Sequence, residues 1–422
     1  IPGARRHLMT LAHLAWRYLC ARPIVTSVSI LGLALGSALI CVVLTLHRES
    51  EDTFKREAGL FDLIVGAKGS PLQLTLSALY HLDVPPGNIP YERYEALRDN
   101  PRVAFAVPIG LGDNYEGFRI VGTERHFFDV VDRDTGEPLF QLAEGDYFRE
   151  AFDVVLGSTV ARETGLGLDD VFSGTHGLVT VPGSEVHTDF PYRVTGVLKA
   201  TGTSQDRAIF GTLQSVWDIH DKEAAMHDRI KGIAPNEETP REATAVLIQL
   251  KARGLRLWVA DEIRTETEAM PAIPINEVLR LYQRVLEPIQ RLLLAVAGIV
   301  VVVAGLAVLA TLYQAVERRR RDLAVTRCLG AHRREVLGLV LWEAGLLGAA
   351  GVLLGWLLGH GALALVSGMV RARSGLQIDP WTTSATEWQA LGLVFAIAIL
   401  AGLLPALLSY RRSPLNDLSL SE

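Results

Sequence analysis

Cysteine is scarce in this chain. Its 422 residues include Cys20, Cys41 and Cys328, and none lies between residues 47 and 290. That long stretch cannot rely on disulfides and must be held by an apolar core of its own. Lysine is scarce too, with six in all. No G-x-x-x-x-G-K-[ST] sequence occurs, and Gly66-Ala67-Lys68-Gly69-Ser70 has the wrong spacing, so a phosphate-cradling loop is absent from these residues. There is no G-x-S-x-G elbow, and no acid pair or triad can be assembled from position alone. His81, His126, His176, His187, His220 and His227 make neither H-x-x-x-H nor H-E-x-x-H. His220 and His227 are spaced to share a helix face, but no further ligand is fixed by spacing, so no metal set is expected. An enzyme is not the expected reading.

Charge is missing from long runs. Ile24–Leu46 and Leu292–Val316 carry none, nor does Gln389–Tyr410. Val336–Val370 is apolar apart from Glu343 and His360. Each run exceeds the roughly 20 residues that cross a hydrocarbon core. The first is too long for a signal-peptide h-region, and no small-x-small cleavage site follows it, so it reads as a retained anchor. The expected fold is an α-helical membrane protein with four transmembrane helices. A large α+β extracytoplasmic domain is inserted between helices one and two.

What charge there is sets the orientation. Arg5, Arg6, Arg17 and Arg22 precede the first run, seven arginines lie within Glu317–Val336, and Arg411 and Arg412 follow the last run. The positive-inside rule puts all three flanks in the cytoplasm, with both termini inside. Residues 47–290 hold 39 acidic and 25 basic residues, while the rest of the chain holds 8 acidic and 16 basic. The expected order is a cytoplasmic segment 1–22, helix one 23–47, an outer domain 48–288 and helix two 289–316. A cytoplasmic stretch 317–335, helix three 336–366, an outer loop 367–387, helix four 388–410 and a tail 411–422 complete it. The location is a bacterial inner membrane.

The outer segment alternates. Arg48–Gly59 is helix-compatible and extends helix one outward. Runs such as VAFAVPIGL, GFRIVGT, FDVVLGS, GLVTVPG and YRVTGVLKATG are punctuated by Gly and Pro, as strands are. Tyr91–Asn100, Ser158–Gly165, Leu213–Arg229 and Gly254–Thr267 read as helices, and Pro274–Arg291 runs helically into helix two. Two subdomains are expected.

Small residues recur inside the membrane runs. Gly351, Gly355 and Gly359 are four apart in helix three, and Gly32 and Gly36 are four apart in helix one. Such spacing lets helix backbones approach closely, in a bundle or a dimer. Glu343 is costly in a membrane helix unless it is paired or close to the interface. His360, near the outer end of helix three, reads as an interfacial structural residue.

Between helices two and three lies ERRRRDLAVTRCLGAHRREV. Helical spacing puts Leu323, Thr326, Arg327 and Gly330 near one face, with Arg320, Arg321 and Ala324 nearby. An amphipathic basic helix by itself equally suits anionic lipid headgroups.

These pieces together resemble the type VII ABC transporter permeases, the superfamily of the macrolide exporter, the lipoprotein-extraction permeases and the cell-division permease. The resemblance covers nearly the whole chain. It is sharpest at Arg320, Arg321, Asp322, Ala324, Val325, Arg327, Leu329, Gly330 and Ala331, with Asp322 where Glu is usual and Cys328 where Ala is common. Glu343, the tail residues Pro405, Ala406, Arg411, Arg412 and Pro414, and the outer segments VVLGSTVARETGLGLDD and YRVTGVLKATGTSQDRAIFGTL add to it.

The resemblance implies a non-catalytic permease subunit. Its coupling helix would dock a cytoplasmic ABC ATPase through Arg320, Arg321, Asp322, Leu323, Ala324, Arg327, Gly330 and Ala331, while arginines 318–321 hold orientation. No cofactor would be bound by the chain itself; ATP and Mg would sit on the ATPase. The implied partners are that ATPase, a second copy or sister permease, a periplasmic adaptor or substrate-binding protein, and lipid, with no nucleic acid. ATPase movement would be transmitted to the outer domain to export or extract a hydrophobic, lipid-linked or peptide substrate. The alternative is a signalling scaffold that activates a periplasmic partner such as a cell-wall hydrolase.

Overall fold

All four long apolar runs are helical. The structure, a computed structural model, describes residues 2–177, 186–231, 240–266, 268–328, 330–374 and 379–411. Leu329, Arg412, Pro414 and most of the expected strand GLVTVPG lie outside the described residues. Among the described residues, four helices are long and apolar enough to cross a membrane: Pro23–Ala58, Pro274–Arg318, Arg333–Val370 and Ala385–Leu408.

The chain divides into two units, Ile1–Glu49 with Val285–Gly368 and Ile378–Glu422, and Ser50–Arg284 with Met369–Gln377. The first is the helical bundle. A helix Pro2–Cys20 leads into it and stops at Ala21. Pro23 then opens helix one, where a missing N–H costs nothing. Thr26 Oγ1 donates back to the Leu19 carbonyl at 3.1 Å, which closes the corner. Helix two contains one π turn, Tyr282–Leu286, two residues before Pro288. Proline cannot donate the usual i→i−4 bond, and a π turn is one way a helix accommodates that defect.

The bundle core is built from Leu33, Ala297, Val301, Ala304, Val308, Leu312, Ala344, Leu347, Val394 and Ala398. Seven of these ten are alanine or valine, so the helices approach through short side chains. Outward, Ile24, Leu35, Ile299, Leu306, Leu353, Leu365 and Leu400 are exposed. An apolar exterior around a small-residue interior is what a lipid solvent selects.

The inserted domain is built on one ten-stranded sheet. Its path runs Met270–Ala272, Leu63–Gly66, Ala245–Leu250, Val103–Tyr115, Phe118–Thr123, Ala208–Thr212, Asp153–Leu156, Val186–Leu198 and Leu142–Gly145, with Val171–His176 bridging Val103–Tyr115 and Val186–Leu198. Most neighbours are antiparallel. Phe118–Thr123 with Ala208–Thr212, and Asp153–Leu156 with Val186–Leu198, are parallel. Two apolar clusters lie along this sheet. One packs Leu63, Val246 and Ile248 with Tyr94 and Val259; the other packs Ile120, Val154 and Ile209 with Val160 and Tyr192. A third set of rings, Phe127, Phe128, Phe140 and Phe210, packs in tilted and edge-to-face pairs at centroid distances of 4.9–5.8 Å. The disulfide-free domain is thus held by aromatic and aliphatic burial.

The segment GTSQDRAIF, quoted above for its resemblance, forms a self-tied turn. Asp206 accepts from Thr201 N at 2.8 Å and Gly202 N at 2.9 Å. The turn is also fastened to Glu57. That buried carboxylate accepts from the Ser204 hydroxyl, from Ser204 N at 3.1 Å and from Gln205 Nε2 at 3.3 Å.

Candidate functional site

The stretch between helices two and three is a helix with a defined start and stop. Helix two ends at Arg318, and a nine-residue helix Arg320–Cys328 follows at once. It stops because Gly330 takes φ +106°, a left-handed conformation that glycine adopts without strain. Ala331 N donates to the Thr326 carbonyl at 3.2 Å and closes the end. Helix three opens on one half of a capping box: Glu335 Oε2 accepts from His332 N at 2.9 Å.

On this short helix Ala324 is buried, and Arg320, Leu323 and Arg327 are half-buried. Arg321, Asp322, Val325, Thr326 and Cys328 are exposed, as is Gly330, while Ala331 is half-buried. The residues expected to dock the ATPase therefore divide: Ala324 faces inward, and Arg321 and Asp322 face out. Val325, absent from that set, is the largest apolar side chain on the open face. Spacing alone could not phase the helix, because it is amphipathic in charge but faces protein on one side only.

Arg319 behaves unlike its arginine neighbours. Its Nη1 lies 2.7 Å from Glu343 Oε1, and its guanidinium stacks 3.8 Å from the centre of the Tyr18 ring. Both charged side chains are largely buried. An acidic residue inside a membrane helix singled out Glu343, but its partner could not be read from spacing. The arginine cluster is thus more than an orientation signal. Arg320 pairs with Glu317 at 3.1 Å.

The five spaced glycines lie at helix contacts within the chain. A Cβ on Gly32 would meet Ala304 Cβ at 3.2 Å, and one on Gly36 would meet Val301 Cγ2 at 2.6 Å. On helix three the neighbours belong to helix one: Leu33 Cβ at 2.5 Å for Gly351, Ser37 Cβ at 2.4 Å for Gly355, and the Ala38 carbonyl at 2.9 Å for Gly359. Helix one is held on both sides by backbone approach.

The inserted domain has an open cleft of about 920 Å³ whose wall includes Tyr91, Glu124, His126, Tyr147, Gln214 and Trp217. Glu124 accepts from the hydroxyls of Tyr91 and Tyr94 and sits 3.1 Å from His126 Nδ1. His126 Nε2 lies 2.9 Å from the Ala106 carbonyl. The hydrogen bond to Glu124 holds the His126 ring above its ordinary pKa. For Glu124, burial works against the charged form, but bonds from His126, Tyr91 and Tyr94 outweigh it and lower its pKa. Both ring nitrogens are engaged, so this imidazole braces the wall and is no free base. His81 contacts Gln205 at 3.1 Å, and its ring is pushed down to about 4 by burial. His220 lies beside Gly112. The side chains of His176, His187 and His227 lie outside the described residues.

The sequence matches the MacB-like periplasmic core domain family over residues 26–252 and the FtsX-like permease C-terminal family over residues 294–414. It is 22% identical to an uncharacterized ABC transporter permease of Methanocaldococcus jannaschii over 54% of this chain and 55% of that one. It is 24% identical to the pyoverdine export ATP-binding/permease protein PvdT of Pseudomonas fluorescens, over 96% of this chain and 58% of PvdT. The chain spans about half the length of the curated relatives it matches. Among solved structures, the periplasmic region of MacB from Actinobacillus actinomycetemcomitans aligns with 53% of this chain and 95% of its own, at 10% identity and a TM-score of 0.33.

Proposed function

As the chain belongs to the ABC transporter permeases that carry a MacB-like periplasmic core domain, we propose that it transmits the stroke of an ABC ATPase into its inserted domain. The ATPase, with its ATP and Mg, lies outside these 422 residues as a partner subunit or domain. It docks on the helix Arg320–Cys328 from the cytoplasm, where the positive-inside rule puts that helix and both termini. The complex acts in a bacterial inner membrane as a pair of permeases, this chain with a second copy or a sister. It moves a hydrophobic, lipid-linked or peptide substrate, with a periplasmic adaptor as a further partner.

One observation carries this reading. The short helix is seated by Ala324 and bracketed by the buried Arg319–Glu343 pair, while its opposite face is left open. A helix held rigidly on one side and open on the other suits a push from outside. Helix one, unbroken from Pro23 to Ala58, is a stiff element for carrying it.

The test uses the exposed residues, which the fold does not need. Val325→Asp and Arg321→Glu should each abolish co-purification of the co-expressed ATPase while leaving the melting temperature of the permease unchanged. Undiminished co-purification and transport in both variants would sink the docking surface.

A further inference from the structure

At the opposite end of the bundle, three buried side chains from three helices converge. Cys41 of helix one, His360 of helix three and Glu387 at the start of helix four bring their sulfur, ring nitrogen and carboxylate oxygen within 4.8 Å of one another. Cys41 and His360 have no exposed surface, and Glu387 has 1%. They stand far apart in sequence, so no motif announces them.

The hydrogen-bond pattern makes the cluster informative. His360 Nδ1 faces the Pro380 carbonyl, which can only accept. Nδ1 therefore carries a proton, and Nε2 presents its lone pair whenever the ring is neutral. That lone pair faces Glu387 Oε1 at 2.7 Å. Two acceptors at that distance need an electrophile between them, either a proton or a metal ion. Glu387 is also turned away from its local role. Ser384-Ala385-Thr386-Glu387 is a capping-box sequence, and Glu387 N does donate to Ser384 Oγ at 3.1 Å. In a capping box the Glu side chain reaches back to the helix start; here it reaches His360 instead.

We propose that Cys41, His360 and Glu387 form a zinc site that ties helices one, three and four together. The donor set fits. Sulfur with imidazole is the borderline-soft chemistry of Zn²⁺, whereas Mg²⁺ and Ca²⁺ take oxygen. A thiolate, a carboxylate and a neutral imidazole balance a dication, so the occupied site is neutral where burial penalises net charge. The Pro380 carbonyl behind Nδ1 is the outer contact that metal-bound histidines use to fix tautomer and ring orientation. Trp356 and Trp381 flank the ring at centroid distances of 5.0 and 6.1 Å and wall the site with apolar surface. Three protein ligands leave a fourth tetrahedral position for water.

Tetrahedral zinc with bonds of about 2.0–2.1 Å to nitrogen and oxygen sets those donors about 3.3 Å apart. The Glu387 carboxylate and the His360 ring therefore separate by about 0.6 Å on binding, a small rotation of the carboxylate. The thiol proton is released as the sulfur–metal bond forms. No redox change is involved.

The probe is the full chain purified without a polyhistidine tag, in a Cys20→Ser/Cys328→Ser background so that Cys41 is its one thiol. After chelator treatment, Zn²⁺ is titrated against a chromophoric chelator, and Co²⁺ is added as a spectroscopic substitute. The expected result is one Zn²⁺ per chain, a raised melting temperature with metal, and a near-ultraviolet thiolate-to-cobalt band. Cys41→Ser should abolish the band, and His360→Gln should weaken binding at least about 100-fold. Absence of stoichiometric binding overturns the site and leaves a proton-bridged His360–Glu387 pair. Binding that persists unchanged in Cys41→Ser and His360→Gln also overturns it, by placing the metal elsewhere. If either variant fails to fold, the cobalt spectrum of the parent chain still decides, since it reports sulfur ligation directly. None of these readouts depends on ATPase docking.

Discussion

Arg319 and Glu343 form a buried ion pair, 2.7 Å apart, that joins the end of helix two to helix three across the short helix between them. Each explains the other. A carboxylate inside a membrane helix needs a partner, and an arginine with little exposed surface needs a charge to face.

The pair gives an asymmetric prediction. Arg319→Ala removes the hydrogen-bonded partner of a buried carboxylate and should cost about 3–5 kcal/mol, whereas Arg319→Met with Glu343→Leu together should recover most of it. Thermal unfolding in detergent checks this. A double variant that melts below the single one would show that the charges themselves, and not their mutual compensation, hold the corner.

Glycine positions separate into tight and open ones. Gly355→Ala places a methyl 2.4 Å from Ser37 Cβ and 2.6 Å from the Ala34 carbonyl, and should cost about 1–3 kcal/mol by overpacking. Gly361 lies in the same helix with nothing within 4 Å of an added Cβ, so Gly361→Ala should be neutral or stabilising by up to about 1 kcal/mol. Melting temperatures of the two variants give the comparison. Equal effects would mean that helix propensity, not approach to helix one, governs both sites.

The Glu124–His126 pair predicts a pH dependence. The folded pKa of His126 is raised, so its stabilising effect is complete below the ordinary histidine value and fades as pH rises through the folded value. Glu124 is lowered, so its effect is lost only when pH falls through the folded carboxylate value. His126→Gln should therefore melt below the parent at about pH 6, and the gap should narrow towards about pH 8. A gap that stays constant across that range would assign His126 a purely steric role.

Much of the architecture is legible in the sequence. Four long apolar runs name the helices, and Gly and Pro mark off the strands, because burial in lipid and backbone geometry each leave a local trace. The glycine spacing shows a packed face, although not whether the other side is the same chain. Partnership is what the sequence withholds. Glu343 and His360 are visible as anomalies in apolar runs, but Arg319 hides among like charges and Cys41 among apolar neighbours. Which of them meet depends on how four helices are arranged, and that is set by contacts distant in sequence. The burial of Ala324 is hidden for the same reason, since helical spacing defines a face without saying what covers it.

The nature of each obstacle beside the glycines bears on how the bundle can change over generations. At Gly36 the nearest atom is a methyl of Val301, so a larger residue there can be offset by a smaller one at Val301. At Gly355 the neighbours are the Cβ of Ser37 and a main-chain oxygen of Ala34. No exchange of side chain moves a carbonyl. Helix one is thus negotiable on the side facing helix two and fixed on the side facing helix three. Second-site suppressors should be found for the first seam and be rare for the second.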